Sequence, residues 1–235
     1  MTRSVLYSLR PVETATVRFT AAPRHRRRVT IDHRPLVDVT PEMLLDWFIH
    51  LGGTMSYGGV VIDRYLAWHP IDHIRWELAR PAPGGGAAEG ARFRIVEAFG
   101  GRPEFKVDVV DRVEKLDETG IRLVQRVAGV VFFQLEHTWS AGSDGVHYVS
   151  VMDIGARSRL LAPLNRLLCR RFSNDMLEAW VKHNIEEVGQ LEYLLPQLKS
   201  SGEAEQTQGA QRRNATPRRE HCNPEPVHRQ RHRLR

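Results

Sequence analysis

The chain has 235 residues, enough for one sizeable domain with a buried core, and its composition is that of an ordinary globular protein. A formal net charge of +6 would suit a nucleic-acid binder, but residues 200–235 hold eight Arg and four Glu and so carry four of those six charges. The rest of the chain is close to neutral, and beyond the basic run at residues 24–28 it shows no basic stripe, so we expect no nucleic-acid partner.

The two cysteines, Cys169 and Cys222, match neither a zinc-finger spacing nor a disulfide framework. No apolar run approaches the length that crosses a membrane, and the first thirty residues lack the apolar segment of a signal peptide. The sequence therefore predicts a cytoplasmic protein without a membrane partner.

Residues 1–38 predict an N-terminal extension that is partly irregular, with extended pieces such as residues 16–20. Thr40, Pro41 and Glu42 are typical of a helix start, with a capping hydroxyl, a first-position proline and an acidic first turn. The apolar face of this predicted helix consists of Met43, Leu44, Trp47, Phe48 and Leu51. Gly52 and Gly53 end it, and Pro70 argues against a long helix across residues 57–73.

From residue 74 to 154 the apolar period changes to two, which is typical of strands. The predicted strands are residues 74–79, 91–99, 105–116, 121–128, 130–139 and 146–154. Turn-rich segments separate them, and short connections favour an antiparallel meander. A helix over residues 158–171, interrupted at Pro163, follows. Residues 39–199 are thus expected to form one domain, and residues 200–235, rich in Ser, Gln, Arg and Pro, a basic disordered tail.

The segment 173–198 predicts a long C-terminal helix with two metal-binding residue types inside an apolar stripe. The stripe consists of Met176, Trp180, His183, Glu187, Leu191 and Leu194, at steps of three and four. Burying Glu187 as an ion requires a cation, and His183, one turn earlier, can bind the same metal ion. The alternative is a chance His and Glu pair on a solvated face. A sheet around this helix is an α+β arrangement with an internal cavity.

Strand alternation selects residues that face this cavity. Glu97 shares a predicted strand face with Phe93, Ile95 and Phe99. The alternatives are a slipped register or a buried, hydrogen-bonded Glu97. Glu104, which follows a Gly-Gly-Arg-Pro turn, is the reserve candidate.

His137 shares an apolar face with Phe133, Leu135 and Trp139, whereas Glu136 points to the opposite face. In residues 146–154 the pattern leaves open whether Tyr148 or His147 faces inward, and either could simply lie on the strand surface.

His73 immediately precedes a predicted strand, four residues after His69, and Asp72 or another carboxylate could orient it. Together, His73, Glu97, His183 and Glu187 offer two imidazole nitrogens and two carboxylates without a thiolate. This set suits zinc, or iron or manganese, with a position left for water or substrate.

These residues lie in motifs through which the sequence from about residue 41 to 195 resembles the diacetylphloroglucinol hydrolase family, whose relatives include phloretin hydrolase. The motifs are Pro-Glu-Met…Asp-Trp-Phe, Tyr65-Leu-Ala-Trp-His-Pro-Ile-Asp-His73, Glu97-Ala-Phe-Gly-Gly, Leu135-Glu-His137 and His183-Asn-Ile-Glu-Glu187. The resemblance implies a helix-grip, START-like fold with a zinc ion bound in the cavity by His73, Glu97, His183 and Glu187.

The resemblance further implies hydrolysis of the carbon–carbon bond between an acyl group and a polyhydroxylated aromatic ring. Tyr65 would contact the substrate, and His137 and Tyr148 would hydrogen-bond a ring hydroxyl. We therefore expect a zinc-dependent enzyme that acts on an acylphloroglucinol-like phenol, with a homodimer as a possible assembly. The alternative is a protein of the same fold that binds a hydrophobic small molecule or polyketide without catalysis.

Overall fold

The computed structural model describes the backbone of residues 3–214 and the side chains of residues 3–198. Its strands are β1 Ala15–Ala22, β2 Arg26–His33, β3 Thr54–Tyr57, β4 Val60–Asp63, β5 His73–Arg80, β6 Arg92–Ala98, β7 Lys106–Asp117, β8 Gly120–Val127, β9 Val130–Gly142 and β10 Gly145–Ile154. Its α-helices are α1 Pro41–Ile49, α2 Arg64–Trp68, α3 Ala162–Arg171 and α4 Asn174–Asn214.

Eight of the strands form one antiparallel sheet in the order β1-β2-β10-β9-β8-β7-β6-β5, and β3 and β4 form a separate hairpin. The six predicted strands are confirmed as β5 to β10, and most of their ends agree within one residue. The predicted α+β class, an antiparallel sheet with a long C-terminal helix, is therefore confirmed.

The predicted stripe of α4 is its buried face. Met176, Trp180, His183, Glu187, Leu191 and Leu194 are each at most 6% exposed. The first half of the stripe packs against Val29, Ile31, Met152 and Ile154 of the sheet. The second half packs in a cluster with Trp47 and Phe48 of α1. The helix begins after Ser173, whose hydroxyl accepts a hydrogen bond from the amide of Met176 at 3.2 Å.

The N-terminal segment is more ordered than the sequence predicted. The predicted extended piece at residues 16–20 lies within β1, and residues 15–33 as a whole form the hairpin of β1 and β2, of which β2 pairs with β10. The tight connection is formed by Arg24 and His25, whose φ angles are 66° and 56°. The run of basic residues hides the strand pattern in the sequence, and in the sheet Arg28 pairs with Asp153 at 2.6 Å.

The start of α1 agrees with its prediction, since the hydroxyl of Thr40 accepts a hydrogen bond from the amide of Met43 at 3.3 Å. The helix buries Leu44, Trp47 and Phe48. Between α1 and β5, the structure has the β3–β4 hairpin, which the sequence did not predict, and the five-residue helix α2, which ends before Pro70.

The chain divides into two units between Lys199 and Ser200. Helix α4 is described as far as Asn214, so residues 200–214 are helical although the sequence predicted a disordered tail from residue 200. The Glu, Gln and Ala residues of this stretch have good helix propensity, but without an apolar stripe they gave no helical pattern. Residues 215–235 of the predicted tail lie outside the described residues. No helix within residues 3–214 is both long and apolar enough to cross a membrane.

Candidate metal centre

Four predicted side chains converge between β5, β6 and α4. The Nε2 atom of His73 lies 3.4 Å from a carboxylate oxygen of Glu97 and 3.4 Å from one of Glu187. The Nε2 atom of His183 lies 3.8 Å from Glu97 and 3.7 Å from Glu187. Local structure explains the meeting, because His73 and Glu97 are direct partners in the β5–β6 register and His183 and Glu187 are one helical turn apart.

The spacing of these atoms can be compared with that of a zinc site. Zinc bonds nitrogen and carboxylate oxygen at about 2.0–2.2 Å, so neighbouring ligand atoms of a tetrahedral site lie roughly 3.3–3.6 Å apart. The four distances from 3.4 to 3.8 Å are close to that range. Among the described residues, His73, His183 and Glu187 form a group whose ligand atoms all lie within 4.8 Å of one another. Glu97 is not in this group and reaches the two histidines with different carboxylate oxygens, so its side chain would have to shift to complete a four-residue site. All four side chains are largely buried, at 14% exposure or less, so the carboxylates have little access to water as an alternative partner.

His73 is held with one nitrogen directed at the carboxylates. Its Nδ1 donates a hydrogen bond to the carbonyl oxygen of Tyr65 at 2.7 Å, which leaves Nε2 as the acceptor. This Nε2 is buried and has no hydrogen-bond partner among the described residues. The imidazole stacks on the ring of Tyr65, with centroids 3.9 Å apart. An unpaired acceptor beside two carboxylates is a position in which a cation would be stabilised.

Asp72 orients His183, so the prediction that Asp72 could orient His73 is wrong. The Nδ1 atom of His183 donates to Asp72 at 3.0 Å, which directs Nε2 towards Glu97 and Glu187. The same carboxylate accepts the backbone N–H groups of Gly100 and Gly101, each at 2.9 Å. These glycines have φ angles of 67° and 66°, a conformation that other residues rarely adopt. Sequence reasoning did not locate this contact because it joins residues more than a hundred positions apart.

The carboxylates of the centre have polar partners of their own. Asn184 donates to Glu187 at 2.6 Å, and the indole N–H of Trp68 donates to the backbone carbonyl of Glu187 at 2.8 Å. The hydroxyl of Tyr65 donates a short hydrogen bond to Glu97. Such supporting contacts fix the orientation of metal ligands in known metal sites.

The electrostatics of the centre favour a positive charge. Burial alone would lower the pKa of His183, but the charge of Glu187 and the hydrogen bond to Asp72 outweigh it and raise the pKa to about 9. Burial would raise the pKa of Glu187, but the charge of His183 opposes it and is the largest cause that lowers the pKa, to about 2. Asp72 behaves similarly, since its hydrogen bond to His183 lowers its pKa to about 2 despite burial. Without a metal, the proton on His183 therefore supplies the positive charge.

The sequence predicted an internal cavity between the sheet and the long helix. Two cavities are found at the centre, and Glu97 and Glu187 line both of them. The first cavity lies against α4, has a volume of about 80 Å³ and has mainly apolar walls. The second cavity has about 50 Å³ and is lined by aromatic residues, Tyr65 and His137. An apolar space with a few converging polar groups is typical of small-molecule sites.

The remaining predicted residues are placed as follows. Tyr65 and His137 line the second cavity, and the Nδ1 atom of His137 lies 2.9 Å from the hydroxyl of Ser150. Burial lowers the pKa of His137 to about 4, so this imidazole is neutral near pH 7. Tyr148 faces inward and is fully buried beside His137, but within the described chain it lines neither cavity and its hydroxyl has no hydrogen-bond partner. His147 is on the exposed face, 3.1 Å from Asp144.

The two other carboxylates considered from the sequence lie away from the centre. Glu104 is exposed and pairs with Arg102 at 2.7 Å. Glu136 is on the opposite face of β9, as predicted, and pairs with Arg122 at 2.6 Å.

The structure also adds residues that the sequence analysis missed. His33 lies 3.0 Å from the hydroxyl of Ser150 and joins it to the inward network of His137. The alternation of Val29, Ile31 and His33 could have indicated this, had β2 been recognised as a strand. His69 is buried and lies 3.3 Å from Glu186. Asn184 and the role of Asp72 had no signal in the sequence pattern.

Comparisons with known proteins found similar solved structures at low sequence identity, and no match by sequence. No protein-family model matches the sequence, and no curated protein matches it. Protein Ms6760 from Mycobacterium smegmatis has a solved structure with 11% identity and a TM-score of 0.43, covering 75% of this chain and 96% of that one.

A START superfamily protein from Mycobacterium smegmatis has 11% identity and a TM-score of 0.37, and the match covers 69% of this chain and 98% of that one. A major latex-like protein from Panax ginseng has 10% identity and a TM-score of 0.40, and the match covers 68% of this chain and 95% of that one. Similarity at this level assigns neither a ligand nor an activity to this chain.

Proposed function

We propose that this protein is a zinc-dependent hydrolase that cleaves the carbon–carbon bond between an acyl group and a polyhydroxylated aromatic ring. The products would be a carboxylic acid and a phenol, as the resemblance to the diacetylphloroglucinol hydrolase family implies. The observation that carries the proposal is the buried Nε2 atom of His73, which lacks a hydrogen-bond partner within the described residues and lies 3.4 Å from both Glu97 and Glu187.

The donor set fits the proposed metal. His73 and His183 offer neutral nitrogens once His183 has lost its proton, and Glu97 and Glu187 offer carboxylate oxygens, a combination that zinc accepts readily. A zinc ion held by these four residues would supply a polarised substrate carbonyl and a water of lowered pKa. Asp72 would keep the imidazole of His183 in the required orientation, and the Tyr65 carbonyl would do the same for His73.

The reaction requires the ring carbon to leave with the bonding electron pair, so that carbon must take up a proton. A ring hydroxyl makes this possible through its keto tautomer, which places the proton on carbon before the bond breaks. Water then provides the oxygen that appears in the acid. The protein's task is therefore to bind ring hydroxyls and hold the acyl carbonyl at the centre.

Tyr65 and His137 are suitable for binding the ring because both line the aromatic second cavity. Burial and the neighbouring Glu97 raise the pKa of Tyr65 well above its usual value, so its hydroxyl remains a donor. His137 is a neutral imidazole that Ser150 can hold in either tautomer. The first cavity would then hold the acyl portion along apolar residues such as Leu135 and Met176. Tyr148 keeps its proposed role from the resemblance alone.

The proposal is tested by incubating the zinc-loaded protein with an acylphloroglucinol in water enriched in heavy oxygen. We expect the deacylated phenol and a carboxylic acid that has gained one labelled oxygen. His73→Ala and Glu187→Ala should lose both zinc and turnover, whereas Glu104→Gln, an exposed carboxylate change, should keep both. Either centre variant retaining zinc and full activity would exclude this ligand set.

The second candidate is a protein that binds a hydrophobic small molecule without cleaving it. The mainly apolar walls of the first cavity favour it, because hydrophobic ligands need no metal. The two candidates differ in metal content and in acid release. A metal-free protein that binds acylphenols and releases no acid would support the binding role.

A further inference from the structure

Asp111 is a second carboxylate on the inward face of the sheet. It lies on β7 between the inward residues Val109 and Val113, at a position where the strand pattern calls for another apolar side chain. Its side chain lines the first cavity together with Gln125 of the neighbouring strand β8.

The Asp111 carboxyl is buried without being fully paired. The residue is 2% exposed, and the neighbouring side chain of Gln125 offsets part of the effect of burial on its pKa. Its Oδ1 atom is buried and has no hydrogen-bond partner in the part of the chain that the structure describes. Burial, with a smaller contribution from the charge of Glu97, raises the pKa of Asp111 to about 6. A valine would pack at this position without an unsatisfied oxygen, so packing does not explain the carboxyl.

The chemistry of the cavity indicates the group that Oδ1 would bind. An anionic ligand would be repelled by Asp111, Glu97 and Glu187, which outnumber His183, the one cationic side chain among the described residues that line the first cavity. The remaining walls are mainly apolar. A hydroxyl donates one hydrogen bond to a carboxyl oxygen and needs no counter-charge in such surroundings. Asp111 lies four residues along β7 from Val107, which is the partner of Glu97 in the sheet, so the two carboxyl groups line different parts of the first cavity.

We propose that Asp111 and Gln125 form a second polar subsite, which binds a hydroxyl on the apolar acyl part of the substrate while the ring lies in the second cavity. The inference rests on the proposed function for the position of the acyl group. It narrows the substrate class from acylphenols in general to acylphenols whose acyl group carries a hydroxyl at a distance from the carbonyl.

The test uses alkylphloroglucinols, in which a methylene replaces the carbonyl so that no cleavage is possible. Hexyl- and octyl-phloroglucinol are compared with their terminal-hydroxy counterparts. Binding is followed by the tryptophan fluorescence of the protein, because Trp180 lines the first cavity and Trp68 and Trp76 line the second. Wild-type protein should bind the better-fitting hydroxy compound on the order of tenfold more tightly than its parent. In Asp111→Val this preference should disappear while the parent compound binds at least as well.

Two controls separate recognition from structure. Asp108→Asn changes an outward carboxylate of the same strand, which pairs with Arg94 at 2.8 Å, and should leave the preference unchanged. Asp111→Val should keep or raise the melting temperature because it removes an unsatisfied buried oxygen, whereas a purely structural role would lower it. Should Asp111→Val fail to fold, Asp111→Asn replaces it and should reduce the preference.

The outcomes are distinct. Equal binding of both compounds by wild type, or a preference that survives in Asp111→Val, would overturn the subsite. Tighter binding of an alkylphloroglucinol with a terminal amine than of the one with a terminal hydroxyl would overturn the hydroxyl as the group that Asp111 binds. Zinc is measured in the same samples: an Asp111-dependent preference in a protein that binds no zinc would uphold the subsite and reject the hydrolase. A wild-type protein that binds zinc and hydrolyses the acylphloroglucinol, but does not prefer the hydroxy compound, would reject the subsite and leave the proposed hydrolase in place.

Discussion

Asp72 is expected to control metal affinity although it is not one of the four proposed ligands. Its carboxylate accepts hydrogen bonds from His183 at 3.0 Å and from the amides of Gly100 and Gly101 at 2.9 Å. In Asp72→Asn, one oxygen is replaced by an amide group, which cannot accept and would face an N–H donor. The negative charge that supports His183 is also lost, so the ligand loses both its orientation and part of its basicity.

The magnitude follows from the loss of one charge-assisted hydrogen bond in a buried site, about 1.5–3 kcal/mol. At 1.4 kcal/mol per factor of ten, zinc affinity should fall roughly 10- to 100-fold. The assay is competition with a chromophoric chelator at pH 7.5. The matched control is Asp46→Asn, because Asp46 also contacts a histidine, His50, at 2.9 Å but is 58% exposed.

A zinc affinity of Asp72→Asn within about threefold of the wild-type value would contradict a role of Asp72 in supporting the metal site. It would mean that His183 does not need the carboxylate, or that His183 does not bind the metal. Equal losses in Asp72→Asn and Asp46→Asn would point to a general effect of charge rather than to the centre.

The remaining predictions concern stability. Because the folded pKa of His183 is raised to about 9, the protonated imidazole should contribute fully to stability below about pH 6.5 and lose that contribution as pH rises through 9. The unfolding free energy of the zinc-free protein should then fall by about 3 kcal/mol. Urea titrations should show this slope, and His183→Gln should remove it. Leu191→Ala, at a fully buried position, should cost about 2–5 kcal/mol in the same assay, while Leu160→Ala, 91% exposed, should cost almost nothing. Gly101→Ala, at a φ of 66°, should cost about 1–2 kcal/mol, and an unchanged unfolding midpoint would argue against the backbone described for the Asp72 turn.

The sequence predicted those strands and helices whose apolar residues recur at the regular spacing of a strand or of a helix. Strands β5 to β10 follow one another through turn-rich connections, and α4 carries its stripe without interruption, so local pattern and final structure agree. The hairpin of β1 and β2 could not be recognised in this way. Strand β1 is at the sheet edge and mostly exposed, and the inward residues of β2 are preceded by a basic run.

The candidate site shows the same limit. His183, Glu187 and Glu97 were selected because each interrupts an apolar face, and the structure brings them together with His73. The same alternation also singles out Asp111, which interrupts the inward valines of β7. The contact of Asp72 with His183 depends on how β5 and α4 pack, and no local pattern contains that information.

The most direct test of the account is the metal content of the purified protein measured by elemental analysis beside His183→Ala and Glu104→Gln. We expect about one zinc per chain in the wild type and in Glu104→Gln, and a large loss of zinc in His183→Ala. Absence of metal from all three proteins after reconstitution with zinc, or the same zinc content in His183→Ala as in wild type, would contradict the proposed centre and the hydrolysis that depends on it.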